Sequence, residues 1–280
     1  MKQTALKISR CNSLPVSLRR KIASWFIKRD GSEFTFDCNG VKYEGHLDNY
    51  VEWVAYVTGQ FYEYTYINLI KQLVNGGTAL DVGANIGNHS LAFSQFFDRV
   101  YSVEPYPPVF ERLTKKTRVA SNIHPFAVGL SDISGQLQFD TPKNLNWGAG
   151  KISTSGDITV DVLVGDQFVR DNIEGTINFI KIDVEGHEPK VLAGLQQTIE
   201  QHRSVVMFEV NRDYLKNGRK GLNELFQLFP DDYQFASLSG QSSFPVQRIV
   251  AKAKPLQRGS GFGKITYVIA YGPERGLRLD

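Results

Sequence analysis

The sequence has few cysteines and no long apolar run, and each shortage excludes a class of protein. Cys11 and Cys38 are its two cysteines, and no histidine or second cysteine accompanies either in a zinc-ligand spacing. We therefore expect neither a disulfide framework nor a zinc motif. No apolar stretch approaches the roughly 20 residues that a helix needs to cross a bilayer, and no apolar core of a secretory signal is visible. These absences favour a protein of the reducing cytoplasm.

The positive charge of the chain is concentrated at its amino terminus. Residues 1–30 carry eight Lys or Arg and one acid, whereas the remainder is mildly acidic. Apolar residues recur there at helical spacing and have basic neighbours: Leu18, Ile22, Trp25 and Phe26, among Arg19, Arg20, Lys21, Lys28 and Arg29. Such a helix either packs its apolar stripe on the domain or lies on an anionic membrane or glycolipid. Elsewhere the basic residues are scattered, so we expect no nucleic-acid partner.

The order of patterns along the chain predicts one α/β domain. A small hairpin around Asn39-Gly40 is followed, from residue 78 onward, by short apolar strands that alternate with helical patterns. This alternation indicates a doubly wound, mostly parallel sheet with helices on both faces. We predict an extension over 1–58 and a catalytic domain over 59–280. The domain carries an insertion near 130–173 that shapes the substrate site, and residues 240–263 form a surface connection.

A glycine-containing turn after the first domain strand predicts the cofactor site. The stretch 80–87 reads LDVGANIG, in which Gly83 permits a tight turn and Gly87 permits close packing where a helix begins. Asp81 would oppose the pyrophosphate of a dinucleotide, and Asn85 stands where the middle glycine of a dinucleotide motif would be. S-adenosylmethionine is cationic and has no phosphate, so Asp81 and Asn85 favour it over NAD.

Three further residues are candidates for the nucleoside part of the cofactor. Glu104 ends the second strand, where doubly wound nucleotide folds place an acid that accepts both ribose hydroxyls. Asn122 and Ala127, at the two ends of the third strand, are candidates for the adenine.

Several motifs together resemble the FkbM-type family of class I methyltransferases. They are GQFYE (59–63), DVGANIG (81–87), VEP (103–105), AVG (127–129) and IKIDVEGHE (180–188). The resemblance covers about residues 59–211. It implies a Rossmann-like seven-stranded sheet, S-adenosylmethionine as cofactor, and methylation of a hydroxyl group. The acceptors it implies are sugars of bacterial glycans and glycolipids, or secondary metabolites. Two alternatives stay open: a NAD-dependent oxidoreductase, and a silent cofactor- or glycan-binding subunit.

The fourth strand and the loop after it carry the predicted catalytic groups. Asp183 ends the strand next to the cofactor turn, and His187 has the intrinsic pKa of a general base. Either could handle the proton of the acceptor hydroxyl. A magnesium ion held by Asp183, Glu209 and Asn211 is a third interpretation, because hard oxygen ligands suit this ion.

The acceptor is predicted to bind at a polar, glycine-rich loop over residues 144–150. Trp147 offers a flat face to a sugar ring, and Asn146 offers an amide to its hydroxyls. An anchoring role of Trp147 in the core is equally compatible with the sequence. Glu185, in the loop after the fourth strand, is a further candidate for acceptor binding. The sequence leaves the oligomeric state open.

Overall fold

The computed structural model describes residues 2–11, 14, 16–142, 147–210, 219–242, 249–256 and 267–275. The helices are α1 Lys2–Ser9, α2 Val16–Phe26, α3 Tyr50–Thr58, α4 Tyr64–Leu73, α5 Asn88–Phe93, α6 Pro107–Thr117, α7 Gly165–Asn172, α8 Glu188–Gly194, α9 Gln196–His202 and α10 Arg219–Phe226. The strands are β1 Glu33–Cys38, β2 Val41–His46, β3 Thr78–Val82, β4 Arg99–Val103, β5 Ile123–Phe126, β6 Gly129–Ser131, β7 Gly135–Asp140, β8 Lys151–Ile152, β9 Ile158–Val164, β10 Ile177–Ile182, β11 Val205–Glu209, β12 Gln234–Ser242, β13 Ile249–Leu256 and β14 Tyr267–Tyr271. No helix in this part of the chain is long and apolar enough to cross a membrane.

The central sheet confirms the doubly wound α/β prediction. Its strand order is β13-β12-β14-β11-β10-β3-β4-β5. Five neighbouring strands pair in parallel: β11, β10, β3, β4 and β5. Beyond β11, the strands β14, β12 and β13 continue the sheet with antiparallel pairs. The order reverses between β3 and β10, and ligands bind beside such a reversal in doubly wound folds.

One edge of the sheet differs from the prediction. The stretch 240–263 was expected to be a surface connection, but β13 pairs with β12 along eight positions, from Phe235–Leu256 to Ser242–Ile249. The central sheet therefore has eight strands rather than seven. The prediction missed β13 because its sequence, IVAKAKPL, contains lysines and a proline, which are typical of edge strands and depress an apolar pattern.

Two apolar clusters fill the space between the sheet and its helices. One packs residues of α7, α8, α9 and α10 against one face, including Phe168, Leu192 and Phe226. The other packs α4 and α5 against the opposite face, and it also takes in Tyr43 of β2 and Ala55 of α3. The amino-terminal elements thus share a core with the sheet, and the boundary at 58/59 stays a prediction.

The insertion after β5 folds into a second, small sheet in the order β6-β9-β7-β8. It packs against the main body where β6 crosses α8. The two backbones are so close there that a side chain at Gly194 of α8 would collide with the carbonyl of Ser131 on β6. The same close approach coincides with the end of α8, so that the single helix expected over 187–200 is two helices, α8 and α9.

The amino-terminal helices bury a different face from the one expected. Leu18, Trp25 and Phe26 belong to the apolar stripe of the sequence, yet they are 41%, 67% and 38% exposed. Arg19, expected among the solvated charges, is buried instead and donates hydrogen bonds to the carbonyls of Ser9 and Thr58. Because a guanidinium can satisfy two distant carbonyls at once, Arg19 fastens α1 and α2 to α3.

Candidate active site

The carboxyl ends of β3, β4 and β10 open into a cavity of about 250 Å³. Ligands of doubly wound sheets bind at this edge. The amino-terminal segment contributes Tyr50 and Tyr62 to the cavity wall, and the insertion contributes Phe139 and Gly148. Three separate parts of the chain therefore surround one cavity.

The turn after β3 forms the floor of the cavity and depends on its glycines. Gly83 has a φ of +75°, and a side chain there would collide with the backbone carbonyl of Asp183 at the end of β10. Asn85, at φ 49°, follows in the same left-handed region, and both residues line the cavity. Gly87 does not line it: a Cβ at Gly87 would press on Leu113 and Thr117 of α6. Gly87 thus has the predicted packing role rather than a role in contacting a ligand.

Glu104 occupies the position predicted for a ribose-binding acid. Its carboxylate lines the cavity and accepts hydrogen bonds from the backbone N–H groups of Asn85 and Tyr106, each at 3.0 Å. Burial raises the pKa of Glu104 to about 7. A carboxylate has about four lone-pair sites, so two remain for hydroxyl donors from a ligand.

Asp81 is placed differently from the prediction. Its side chain is fully buried below the floor, outside the cavity lining. One carboxylate oxygen accepts a 2.7 Å hydrogen bond from Ser90, and the other lies 3.5 Å from Nζ of Lys181. The reason is the strand register: Asp81 on β3 is directly beside Lys181 on β10, so the two side chains project to the same face of the sheet and meet there. A direct contact between Asp81 and the cofactor is therefore not supported.

A polar network that the sequence analysis missed lies around Asp183. Lys181 is 1% exposed and places its ammonium 3.2 Å from the Asp183 carboxylate. The hydroxyl of Tyr267, on β14, is 3.1 Å from carboxylate oxygens of both Asp183 and Glu63. His89 on α5 completes the network, with its Nε2 3.3 Å from Glu63. Burial opposes the charge of Asp183, but Lys181 and His89 hold its pKa below the usual range.

Three carboxylates converge at the mouth of this network. Oxygens of Asp183, Glu185 and Glu209 lie within 4.8 Å of one another. Burial, together with the nearby charges of Asp183 and Glu185, raises the pKa of Glu209 to about 8. The three oxygens are of the type that magnesium prefers. Asn211, the third predicted metal ligand, lies outside the described residues.

His187 lines the same cavity from the start of α8. Its Nε2 is 3.0 Å from the hydroxyl of Ser131 on β6. Burial lowers the pKa of His187 to about 4, so its imidazole is neutral at pH 7. Glu188, which follows it, accepts hydrogen bonds from the backbone N–H groups of Val184 and Gly186. Glu188 thus holds the loop that carries Glu185.

Two residues predicted to contact the adenine lie outside the cavity lining. Asn122 is at the amino end of β5, away from the cavity, where its amide donates to the carbonyls of Ser94 and Phe97. Ala127 is exposed and lies outside the cavity lining, which Gly129 and Leu130 supply instead. Strand β5 ends at Phe126, one residue before Ala127, and the chain that follows lines the cavity at Gly129 and Leu130.

The predicted acceptor loop is described only from residue 147. Asn146 lies outside the described residues, and Trp147 begins a short 3₁₀ turn that ends at Ala149. Gly148 lines the cavity, and a Cβ there would lie 2.9 Å from the side-chain nitrogen Nδ2 of Asn85. The loop therefore approaches the cofactor turn closely, and the roles of Trp147 and Asn146 stay predictions.

A family model described as the methyltransferase FkbM domain matches residues 81–235. The chain belongs to this family. The match confirms the resemblance that the motifs indicated, and it includes Glu104, Asp183 and Glu209. Glu63 and Tyr267 lie outside it, so part of the network around Asp183 comes from segments beyond the family domain.

The similar proteins include one curated relative and several solved structures. The chain is 33% identical over 140 residues to the hexuronic acid methyltransferase AglP of Haloferax volcanii. The aligned region covers 50% of this chain and 58% of that protein. The chain thus spans little more than half the length of this relative. The FkbM methyltransferase of Methylobacillus flagellatus KT is 19% identical, with 78% of this chain and 52% of that chain covered and a TM-score of 0.46. Aeropyrum pernix fibrillarin, solved with S-adenosyl-L-methionine, is 12% identical, with 87% and 84% covered and a TM-score of 0.41.

Proposed function

We propose that this protein transfers the methyl group of S-adenosylmethionine to a hydroxyl group of a sugar. The observation that carries the proposal is the shared cavity, in which the Gly83 turn and Glu104 face the carboxylates around Asp183. Membership of the FkbM family supports methyl transfer, and the similarity to a hexuronic acid methyltransferase supports a sugar, in particular a uronic acid, as acceptor.

The charge of the cavity suits a cationic cofactor. Among the residues that the structure describes, its lining includes five carboxylates and two lysines: Glu63, Glu104, Asp183, Glu185 and Glu209, against Lys151 and Lys181. Although Glu209, with a pKa of about 8, and Glu104, with a pKa of about 7, are protonated in part at pH 7, the ionised carboxylates still outnumber the two lysines. This excess of negative charge would repel the pyrophosphate of NAD in a partly desolvated site. The sulfonium and ammonium of S-adenosylmethionine are attracted by it. These carboxylates, rather than the buried Asp81, therefore favour S-adenosylmethionine over NAD.

Glu104 and the Gly83 turn are the residues that would hold the cofactor. Glu104 has lone pairs left for the ribose hydroxyls. The Gly83 turn, which packs against the carbonyl of Asp183, provides the floor on which the rest of the molecule would lie. When bound, S-adenosylmethionine supplies a methyl carbon that is already activated for displacement. The protein then has to align the acceptor oxygen, exclude water and remove one proton.

Asp183 is the group that we assign to the proton. The acceptor oxygen becomes strongly acidic as its bond to carbon forms, so a carboxylate with a lowered pKa is basic enough to take the proton at that stage. The hydroxyl of Tyr267 and the ammonium of Lys181 hold this carboxylate in place. His187, neutral at pH 7, is the second candidate for the base.

Labelled cofactor tests the reaction. The purified protein is incubated with S-adenosylmethionine carrying a radioactive methyl group and with glycosides of glucuronic acid, galacturonic acid and neutral hexoses. We expect label in a saccharide, and we expect it to survive mild alkali, because a methyl ether is stable there and a methyl ester of the uronic acid is not. Label released by alkali would contradict hydroxyl methylation, and binding of NAD without binding of S-adenosylmethionine would refute the methyltransferase.

Asp183→Asn tests the catalytic assignment. The amide preserves shape but cannot accept the proton, so we expect turnover to fall by about 100-fold or more. Binding of S-adenosylmethionine, measured by calorimetry, should stay within a few-fold of the original. The matched control is Asp132→Asn, which changes an aspartate that is paired with Lys190 outside the cavity. Unchanged turnover in Asp183→Asn would remove this residue from the mechanism.

A further inference from the structure

A second cavity lies between α2 and α3 and is basic. Four cationic side chains line it, Arg20, Lys21, Lys28 and Arg29, together with the hydroxyls of Ser17 and Ser24. Among the residues that the structure describes, no carboxylate belongs to its lining. This cavity therefore concentrates positive charge in a concave surface, whereas carboxylates predominate in the active-site cavity.

The four cations of this cavity have no carboxylate partners in the described part of the chain, where none of the salt bridges includes them. Two of them are held over one aromatic ring: the guanidinium carbons of Arg20 and Arg29 lie 5.1 and 5.8 Å from the ring centre of Tyr50. Stacking of this kind orients a guanidinium while leaving its N–H donors free for an anion.

The basic cavity adjoins the active site. Tyr50 lines both cavities, and its ring is the one beside which the two arginines lie. Arg20 also acts electrostatically on Tyr62, which lines the active-site cavity. A ligand with a sugar in the first cavity can therefore reach the second with a substituent of that sugar or of its neighbour.

We propose that the basic cavity binds a phosphate or diphosphate group carried by the acceptor sugar. The inference rests on the proposed function and names the substrate class: a phosphorylated saccharide such as a sugar phosphate, a nucleotide sugar or a lipid-linked sugar. A single carboxylate would neutralise one of the four cations, whereas a diphosphate carries several charges. Arginine forks also match phosphate oxygens in pairs.

The opposite charges of the two cavities would orient the acceptor. Negative charge in the active site would repel the phosphate of such an acceptor, and the basic cavity would attract it. The acceptor would then enter in one direction, with its phosphate end on α2 and its hydroxyl beside Asp183. Misdirected binding would cost the repulsion of like charges at both ends.

Binding of inorganic pyrophosphate to the full chain tests the proposal without knowledge of the acceptor. We expect calorimetry to detect one site, and we expect the double variant R20Q/R29Q to bind at least about tenfold more weakly, because it loses two charge-assisted contacts. The matched control, K7Q/K71Q, removes the same charge from exposed positions outside this cavity and should bind within about twofold of the original. Equal loss in both double variants, or no loss in R20Q/R29Q, would overturn the proposal.

Two further measurements separate the alternatives. Binding of S-adenosylmethionine should be the same in the original and both double variants. If none of the three proteins bound S-adenosylmethionine, the proposed function would be refuted. The comparison of pyrophosphate binding would still test the basic cavity. Flotation with phosphatidylglycerol vesicles tests a lipid surface, since Trp25 is exposed on the same helix. Vesicle binding that depends on Arg20 and Arg29, without any pyrophosphate binding, would overturn the saccharide phosphate in favour of a membrane.

Discussion

Replacement of Lys181 by methionine tests the buried charge network most directly. The ammonium lies 3.5 Å from Asp81 and 3.2 Å from Asp183, and its side chain is 1% exposed. Methionine fills nearly the same volume but carries no charge. The variant would therefore retain the packing while leaving the buried carboxylate of Asp81 and the partly exposed carboxylate of Asp183 without their shared cation.

The expected loss of stability is large. Removal of one partner from a buried ion pair costs about 3–5 kcal/mol, because the remaining charge is desolvated and uncompensated. At about 1.4 kcal/mol per factor of ten, the folding equilibrium constant would fall by two to nearly four powers of ten. The deficit should also depend on pH. Because Lys181 is the main charge that opposes the effect of burial, we expect its loss to raise the pKa of Asp183. The deficit should then be greatest at neutral pH and shrink in acid, where this carboxylate is protonated.

Urea unfolding, followed by circular dichroism at pH 7 and pH 5, measures this loss. Lys190→Met is the matched control: its ammonium is also paired, 2.7 Å from Asp132, but the side chain is 57% exposed, and we expect a loss below about 1 kcal/mol. Asp81→Asn in the Lys181→Met background should recover part of the stability, because it removes one of the two orphaned charges. A Lys181→Met protein as stable as Lys190→Met would refute the buried network.

Two other predictions concern the ligands of the active site. Burial raises the pKa of Glu104 to about 7, and only the ionised carboxylate accepts both ribose hydroxyls, so affinity for S-adenosylmethionine should rise by up to about tenfold between pH 6 and pH 8. Titration calorimetry of Glu104→Gln should give an affinity that is weaker and no longer changes with pH, and a pH dependence that survives the substitution would contradict the ribose role. The magnesium interpretation of Asp183 and Glu209 predicts that dialysis against EDTA abolishes methyl transfer and that Mg²⁺ restores it, while full activity after dialysis would exclude a required ion.

Most of the central sheet could be predicted because its strands are short apolar runs between turn signals. Parallel strands buried on both faces show such runs, as β3 and β10 do. β13 could not be predicted in the same way, since it pairs on one side only and its alternating lysines match an exposed segment. The face of α2 was mispredicted for a related reason. Periodicity finds an apolar stripe, but the hydrogen bonds of Arg19 to Ser9 and Thr58 fix which face is turned inward.

The parts of the candidate site that were predicted lie at the ends of recognisable strands. Glu104 and Asp183 each follow an apolar run directly, so their place at the edge of the sheet follows from the strand pattern. Tyr267 could not be found in this way, because β14 brings it to Asp183 from 84 positions along the chain. The arginines over Tyr50 were visible as a charge cluster, but only the packing of α2 on α3 shows that they share a cavity.

The different place of Asp81 follows from a rule of parallel sheets. Residues at the same register of neighbouring parallel strands project to the same face of the sheet, so a buried charge on a central strand can be paired with a partner from the adjacent strand. Lys181 is that partner, and it was present in the motif IKIDVEGHE. Because Asp81 is paired with Lys181 and lies outside the cavity lining, its negative charge acts on the cavity only in part. Asp183, two residues after Lys181, lines the cavity itself. The DVGANIG and IKIDVEGHE motifs therefore form one electrostatic unit: Asp81 and Lys181 stabilise the floor, and Asp183 faces the cavity.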